Sequence, residues 1–260
     1  MIEITDAQIS SWINHYVWPL YRILAFFLIA PLFGARNVPQ RVRILLGVTV
    51  TFLLAPMLPP MPDIEAVSLA STVVVAHQLV IGVALGFLVM TLFQVFVLAG
   101  QAIAMQMGLG YASMMDPANG ISVTVLAQWY LTLVTLLFLA INGHLVVFEV
   151  LIESFYTMPV GQTGLMTESF YDLTLWGRWM FASAVSIALP AIGSLLLVNI
   201  AFGIMNRAAP SMNIFSLGFP MTMLMGLFVL WLSFNGVLAT IHTAMAGLTD
   251  MMKTLVNIPL

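Results

Sequence analysis

Residues 66–115 read AVSLASTVVVAHQLVIGVALGFLVMTLFQVFVLAGQAIAMQMGLGYASMM, fifty consecutive positions without one Asp, Glu, Lys, Arg or Pro. A charged side chain at mid-bilayer is costly, so a charge-free run of this length marks hydrocarbon or a protein interior. The absence of proline leaves every backbone N–H free for helical bonding. Taken as one helix, residues 68–107 would extend about 60 Å at 1.5 Å per residue, roughly twice the ~30 Å of bilayer hydrocarbon. Such a helix must bend, fold back or lean on neighbouring protein, because tilt relieves only part of the mismatch. Gly82, Gly86 and Gly100 are its candidate bend or close-packing points. The spacing Gly82-x-x-x-Gly86 lets helix backbones approach, and packing is the first reading of it.

The rest of the chain has the same character. Of 260 residues, 62% are hydrophobic and 7% charged, with seven Lys or Arg against ten Asp or Glu and a net charge of −3. A soluble domain carries about 25% charged residues, so a soluble cytoplasmic enzyme is excluded. The acidic balance gives no cationic footprint for phosphates, which excludes nucleic-acid binding. With no cysteine, disulfides, thiolate zinc sites, Fe–S clusters and Cys nucleophiles fall away together. Residues 1–10 contain Glu3 and Asp6 but no Lys or Arg, unlike the positive start of a secretory signal, so the first apolar stretch is expected to be retained.

Six apolar blocks emerge at 12–33, 43–58, 68–107, 123–148, 179–206 and 221–247, and they define an all-α, membrane-embedded chain with some segments bent or longer than a bilayer span. The second block ends in Pro56, Pro59, Pro60 and Pro62, which stop any helix. Arg36, Arg41 and Arg43 fall in the first connection and Arg207 in the fifth, whereas Asp63, Glu65, Glu149, Glu153, Glu168 and Asp172 fall in the second and fourth. The positive-inside rule then places the amino terminus outside the cytoplasm. Trp12, Trp18, Trp129, Trp176 and Trp179 sit near block ends, where indoles favour the interface. No internal repeat or linker is evident, so residues 1–260 are read as a single domain.

Arg22 lies inside the first block, with His15 nearby, and is expected to pair with a carboxylate or backbone carbonyls at a subunit interface. His77 and His144, the latter in Asn142-Gly143-His144, could relay protons, but neither has an ionisable neighbour at i±3 or i±4 and both read as packing histidines. Glu149 and Glu153 share a helix face at i, i+4, yet no third ligand completes a cation site and the pair reads as a solvated face. There is no nucleophile elbow, P-loop or H-E-x-x-H. Neither catalysis, a cofactor nor a metal is expected.

Two broken stretches are more informative. In the first, Gly108, Gly110, Tyr111, Met114, Met115, Asp116, Pro117 and Gly120 interrupt an apolar run with turn-forming dipeptides. Irregular backbone at membrane depth is tolerated only where protein buries it or a water-filled cavity receives it, so a pore-lining or plugging loop and a plain interhelical turn both remain open. The second holds Asn206, Arg207, Pro210, Asn213, Phe215, Gly218 and Pro220, a polar hinge with two prolines. Arg207 is expected near a helix C-terminus, where a cation is favoured. Met105, Met107, Met114 and Met115 crowd the first stretch and Met221, Met223 and Met225 follow the second, as core filler or as a soft seal around variable cargo.

At these residues the sequence resembles the FliR family of type III secretion export-gate subunits, together with its injectisome counterparts, the SctT or SpaR group. The matching text is Gln106-Met-Gly-Leu-Gly-Tyr-Ala followed by Asp116-Pro117, then Phe138-Leu-Ala-Ile-Asn-Gly-His144, then Asn206-Arg-Ala-Ala-Pro-Ser-Met-Asn-Ile-Phe-Ser-Leu-Gly-Phe-Pro220. The resemblance implies a subunit of a flagellar export gate in the bacterial inner membrane at the basal body. It implies assembly with FliP and FliQ homologues, with FlhB and FlhA homologues nearby, around a pore for unfolded export substrates. It further implies helical hairpins in a hetero-oligomeric assembly, partly lifted out of the bilayer plane. Residues 108–121 would correspond to the family's plug, and 207–220 to its second break. The alternatives are an injectisome gate subunit of the same family, a passive scaffold, or a small-solute secondary transporter, the last of which needs an ionisable pair at the midplane.

Overall fold

The computed structural model describes residues 6–34, 38–62, 64, 68–110, 124–161, 163–208 and 214–258. Among them the regular structure is helical, without a strand: α1 (Asp6–Ile29), α2 (Pro31–Gly34), α3 (Gln40–Leu54) with a 3₁₀ turn at Ala55–Met57, α4 (Leu69–Gln106), α5 (Val125–Ala140), α6 (Gly143–Thr157), α7 (Thr167–Ala208) and α8 (Ile214–Leu255). Among the described residues three helices are long and apolar enough to cross a membrane, Gln40–Met57, Leu69–Gln106 and Thr167–Met205, or up to five if each of two bent helix pairs counts as one span. An all-α, membrane-embedded chain is what the charge-free runs require, since a helix satisfies its own backbone in lipid.

The block boundaries follow identifiable chemistry. Pro39 opens α3, and Pro56 converts its end to a 3₁₀ turn that gives way to extended backbone at Leu58. The long run is one unbroken helix of 38 residues, about 57 Å long. It neither folds back nor breaks at its glycines. The fourth block is not one helix: Asn142 adopts the left-handed conformation at φ 57°, which ends α5 and opens α6 at Gly143. The last two helices outrun their blocks, at 42 residues each, and carry Pro190 and Pro220 inside them. Glu168 in the first turn of α7 and Arg207 in its last complement the helix dipole, which lets polar ends extend an apolar middle.

The chain divides into two compact units, each discontinuous in sequence: residues 1–91, 142–176 and 245–260, and residues 92–141 and 177–244. The first unit centres on Ile23, Phe26 and Phe27 of α1, Ile81, Leu85 and Leu88 of α4, and Leu151 and Phe155 of α6, all fully buried. The Phe27 ring meets Phe33 edge-on at 4.5 Å between centroids and Phe148 at 5.9 Å. A Cβ on Gly82 would fall on the Arg22 carbonyl oxygen and 2.8 Å from the Ala25 Cβ, and one on Gly86 would lie 2.9 Å from the Ile29 Cβ. The Gly-x-x-x-Gly face is therefore the bed on which α1 lies. Trp176 of α7 donates its indole N–H to the Thr91 hydroxyl of α4 at 2.6 Å.

The second unit is built around Phe93, Phe96 and Ile103 of α4 and Val134 and Phe138 of α5. The Phe93 and Phe138 rings lie 5.2 Å apart. Gly100 is the close-approach point here, where a Cβ would sit 2.8 Å from the Ala127 Cα. Burial is very uneven between helices of similar apolarity. Of the most apolar stretch of α4, 67% is buried, against 17% for α7.

Candidate functional site

The first broken stretch starts from a fixed point. Gly108 is left-handed at φ 82°; its N–H reaches the Met105 carbonyl at 3.1 Å, and the Leu109 N–H reaches the Ala104 carbonyl at 2.9 Å. That pair of bonds is a Schellman motif, which satisfies the terminal carbonyls of α4 and turns the chain aside. The chain re-enters helix at Thr124, whose side-chain oxygen accepts from the Ala127 N–H. Gln101 of α4 fastens this restart, its Oε1 accepting from the Thr124 N–H at 3.1 Å and the Thr124 hydroxyl at 3.2 Å. Both ends of the intervening segment are thus tied to the last turns of α4.

Between those ends lies an apolar hollow of about 460 Å³, lined by Met107, Leu109, Val125, Leu126, Trp129, Leu227, Leu230, Trp231 and Phe234. The lining includes the residues flanking the segment on both sides and one face of α8. No ionisable side chain lines it, so the hollow can hold apolar groups but offers no acid, base or nucleophile among the described residues. Met107 also fills the space over Gly226, where a Cβ would lie 2.6 Å from its Cγ. The second broken stretch arrives at the same place: a Cβ on Gly108 would meet the Phe219 ring at 3.1 Å.

Tyr111, Met114, Met115, Asp116, Pro117 and Gly120 lie outside the described residues, as do Pro210 and Asn213. Gly110 is the last described residue before the gap, and its close neighbour is the Met105 side chain. The second break is shorter than its composition suggests, because Asn206 and Arg207 belong to α7 while Phe215, Gly218 and Pro220 lie within the first turns of α8. Pro220 is the seventh residue of α8, past the first turn, so it lacks the N–H that would reach the Ser216 carbonyl and removes one interior bond of the helix. Arg207 is exposed on the chain's surface.

Arg22 is the fully buried charge among the described residues, and oxygens of this chain surround it. Its Nε donates to the Gln78 Oε1 at 2.8 Å, one terminal nitrogen donates to the Ser154 carbonyl at 2.8 Å and the Ser154 hydroxyl at 3.0 Å, and the other donates to the Met158 carbonyl at 2.8 Å. The guanidinium also stacks over the Phe155 ring at 4.2 Å. The carbonyl partners are as expected. Among the described residues these partners are amide, carbonyl and hydroxyl oxygens, and none of them is a carboxylate. The guanidinium fork caps the final carbonyls of α6 and ties that helix to α1 and α4. Gln78 was legible as a signal, since Gln78, Gly82 and Gly86 recur at i, i+4, i+8 on one face of α4. Ser154 and Met158 had none.

Asn142, Gly143 and His144 form the α5–α6 junction, Gly143 being buried and Asn142 exposed. The Nδ1 atoms of His77 and His144 are buried without a hydrogen-bond partner among the described residues. His77 packs its ring over Gly164, where a Cβ would meet its Cγ at 2.8 Å. Glu149 is exposed and Glu153 half-buried on one face of α6.

Residues 13–248 match the family model for bacterial export proteins, family 1. The chain is similar to the flagellar biosynthetic protein FliR of Escherichia coli (strain K12), at 40% identity over 87% of each chain. It is 37% identical to FliR of Pectobacterium carotovorum subsp. carotovorum over 89% of this chain and 88% of the relative. With FliR of Bacillus subtilis (strain 168) the identity is 27%, over 90% and 91%. A family model spanning most of the chain and a relative at this identity over this length establish kinship, and the chain belongs to the FliR family of bacterial export proteins.

Proposed function

We propose that this chain is a subunit of a flagellar type III protein export gate in the bacterial inner membrane, at the basal body. With FliP-like and FliQ-like subunits it forms the pore through which unfolded flagellar proteins cross, and FlhB-like and FlhA-like proteins adjoin it. It acts as a single functional domain and as a conduit, not an enzyme. The observation that carries this reading is α7: 42 residues, about 63 Å of helix, with only 17% of its most apolar stretch buried by the chain itself. That length exceeds what ~30 Å of hydrocarbon can cover, so protein partners are the natural cover for the remainder. Residues 108–121 serve as the plug. Support for the plug is the pinning of the segment at Gly108 and Thr124 and the apolar hollow between those points. The solute-transporter alternative needs an ionisable pair, and the buried Arg22 is bonded instead to carbonyl, amide and hydroxyl groups.

The test is co-expression of the tagged full chain with and without FliP-like and FliQ-like partners, followed by extraction in mild detergent and intact-mass measurement. The expected result is a large assembly containing all three chains, with a higher yield than solo expression. A well-dispersed solo monomer that ignores both partners, in cells whose flagellar export survives loss of this chain, overturns the reading.

A further inference from the structure

Between Asp6 and Asp63 the sequence holds no acidic residue, yet it carries Arg22, Arg36, Arg41 and Arg43. Four of the chain's seven basic side chains therefore lie in a stretch with no internal counter-charge. Arg22 is consumed by the α6 cap. Arg41, in the first turn of α3, is exposed and makes no hydrogen bond or ion pair among the described residues.

The face of α3 on which Arg41 stands is apolar. Positions 41, 45, 48 and 52 are spaced i, i+4, i+7 and i+11, which aligns them along one side of a 3.6-residue helix. Leu45 is 70% exposed, Val48 47% and Phe52 65%. The opposite side is committed to α1: Gly47 and Thr51 are buried, and a Cβ on Gly47 would run into the Leu24 side chain. At the far end of the stripe the Phe52 ring stacks on Tyr16 of α1, with centroids 5.5 Å apart and planes 15° from parallel. Eleven residues separate Arg41 from Phe52, about 16 Å along the axis, or roughly half of the ~30 Å hydrocarbon thickness.

An exposed cation at one end of an exposed apolar stripe one leaflet deep has the polarity and length of a phospholipid. We propose that α3 binds an anionic phospholipid, its headgroup phosphate on Arg41 and one acyl chain along Leu45, Val48 and the Phe52–Tyr16 pair. The charge argument selects a lipid over a second protein helix. An apolar helix would cover the stripe but leave Arg41 facing hydrocarbon, whereas an anionic headgroup satisfies both ends at once.

The test uses the full chain in the membrane-extracted assembly, with benzoylphenylalanine replacing Leu45 for photo-crosslinking and with phosphatidylglycerol or phosphatidylcholine as the probe lipid. The expected crosslink adds the mass of one phospholipid, with phosphatidylglycerol captured in preference. Arg41→Gln should lower phosphatidylglycerol capture about five-fold, the ratio equivalent to one basic side chain at an anionic surface, and Arg41→Lys should restore most of it. Phosphatidylcholine capture should not move, and inorganic phosphate should not compete, since it lacks the chain. A crosslink to a protein partner, equal capture of both lipids, or an Arg41→Gln assembly that retains full phosphatidylglycerol preference overturns the proposal. Because Arg41 is exposed and bonded to nothing among the described residues, the variant is expected to fold; co-purification of the assembly checks it.

Discussion

Arg22 and Ser154, 132 positions apart in sequence, are joined twice, one guanidinium nitrogen donating to both the carbonyl (2.8 Å) and the hydroxyl (3.0 Å) of the serine. The hydroxyl in turn donates to the Leu151 carbonyl at 2.6 Å, so one contact organises the last turn of α6. A charge without a carboxylate is tolerable here because four of the five guanidinium N–H bonds point at oxygens and the plane lies over the Phe155 ring.

Arg22→Ala should leave the Met158 carbonyl and the Gln78 amide oxygen without their donor, and the Ser154 carbonyl with the Met158 N–H alone, at a cost of about 2–5 kcal/mol of stability. Arg22→Lys keeps the charge but cannot fork toward three partners, and should recover only part of the loss. Thermal unfolding of the detergent-extracted chain, with and without partners, measures both. Wild-type melting of Arg22→Ala would remove the cap from the account of the fold.

Gly82→Ala should be destabilising by about 1–3 kcal/mol, because the new methyl group meets the backbone of α1, which cannot step aside as a side chain can. Gly177→Ala is the control. It lies within α7 with nothing within 4 Å, so the same substitution should stabilise the isolated chain by up to about 1 kcal/mol through helix propensity. Equal effects at the two sites would contradict close approach at Gly82.

Gly108→Ala forces a Cβ into a left-handed residue, at about 1–2 kcal/mol, and presses it against Phe219. Since Gly108 terminates α4 at the root of the proposed plug, the substitution should raise ion leakage through the assembled complex while lowering its yield only modestly. Conductance of reconstituted complexes is the readout, and an unchanged closed state would detach this turn from gating.

Arg207 is exposed in the last turn of α7, so Arg207→Ala should change the stability of the isolated chain by less than about 0.5 kcal/mol. Assembly with partners should nevertheless fall, and secretion with it, if the cation meets a carboxylate or helix-terminal carbonyls across an interface. Normal assembly with secretion alone lost would assign Arg207 to the cargo path instead.

Deleting residues 111–120 should leave the complex assembled but leaky to small ions and solutes, seen as growth inhibition and raised conductance. Loss of a single apolar contact in such a seal should change the open population about 5- to 150-fold, the equivalent of roughly 1–3 kcal/mol. An intact deletion complex that stays tight places the seal elsewhere.

The helical, membrane-embedded class was legible because it depends on composition and period. A fifty-residue run without charge or proline has few ways to satisfy its backbone other than helix, and seven basic residues in 260 cannot solvate a globule. Pro56 as a stop and Gly82-x-x-x-Gly86 as a packing face were legible for the same reason, being local backbone effects. The break at Asn142 carries a local signal, the turn-forming pair Asn142-Gly143, which a division by charge-free runs passes over because neither residue is ionisable. The partners of Arg22 were decided by tertiary structure alone. A guanidinium inside an apolar run must find acceptors, but carbonyl oxygens exist at every residue, so their chemistry cannot distinguish Ser154 and Met158 from hundreds of others. Only the packing of α1, α4 and α6 brings the terminal carbonyls of one helix to the side chain that reaches them.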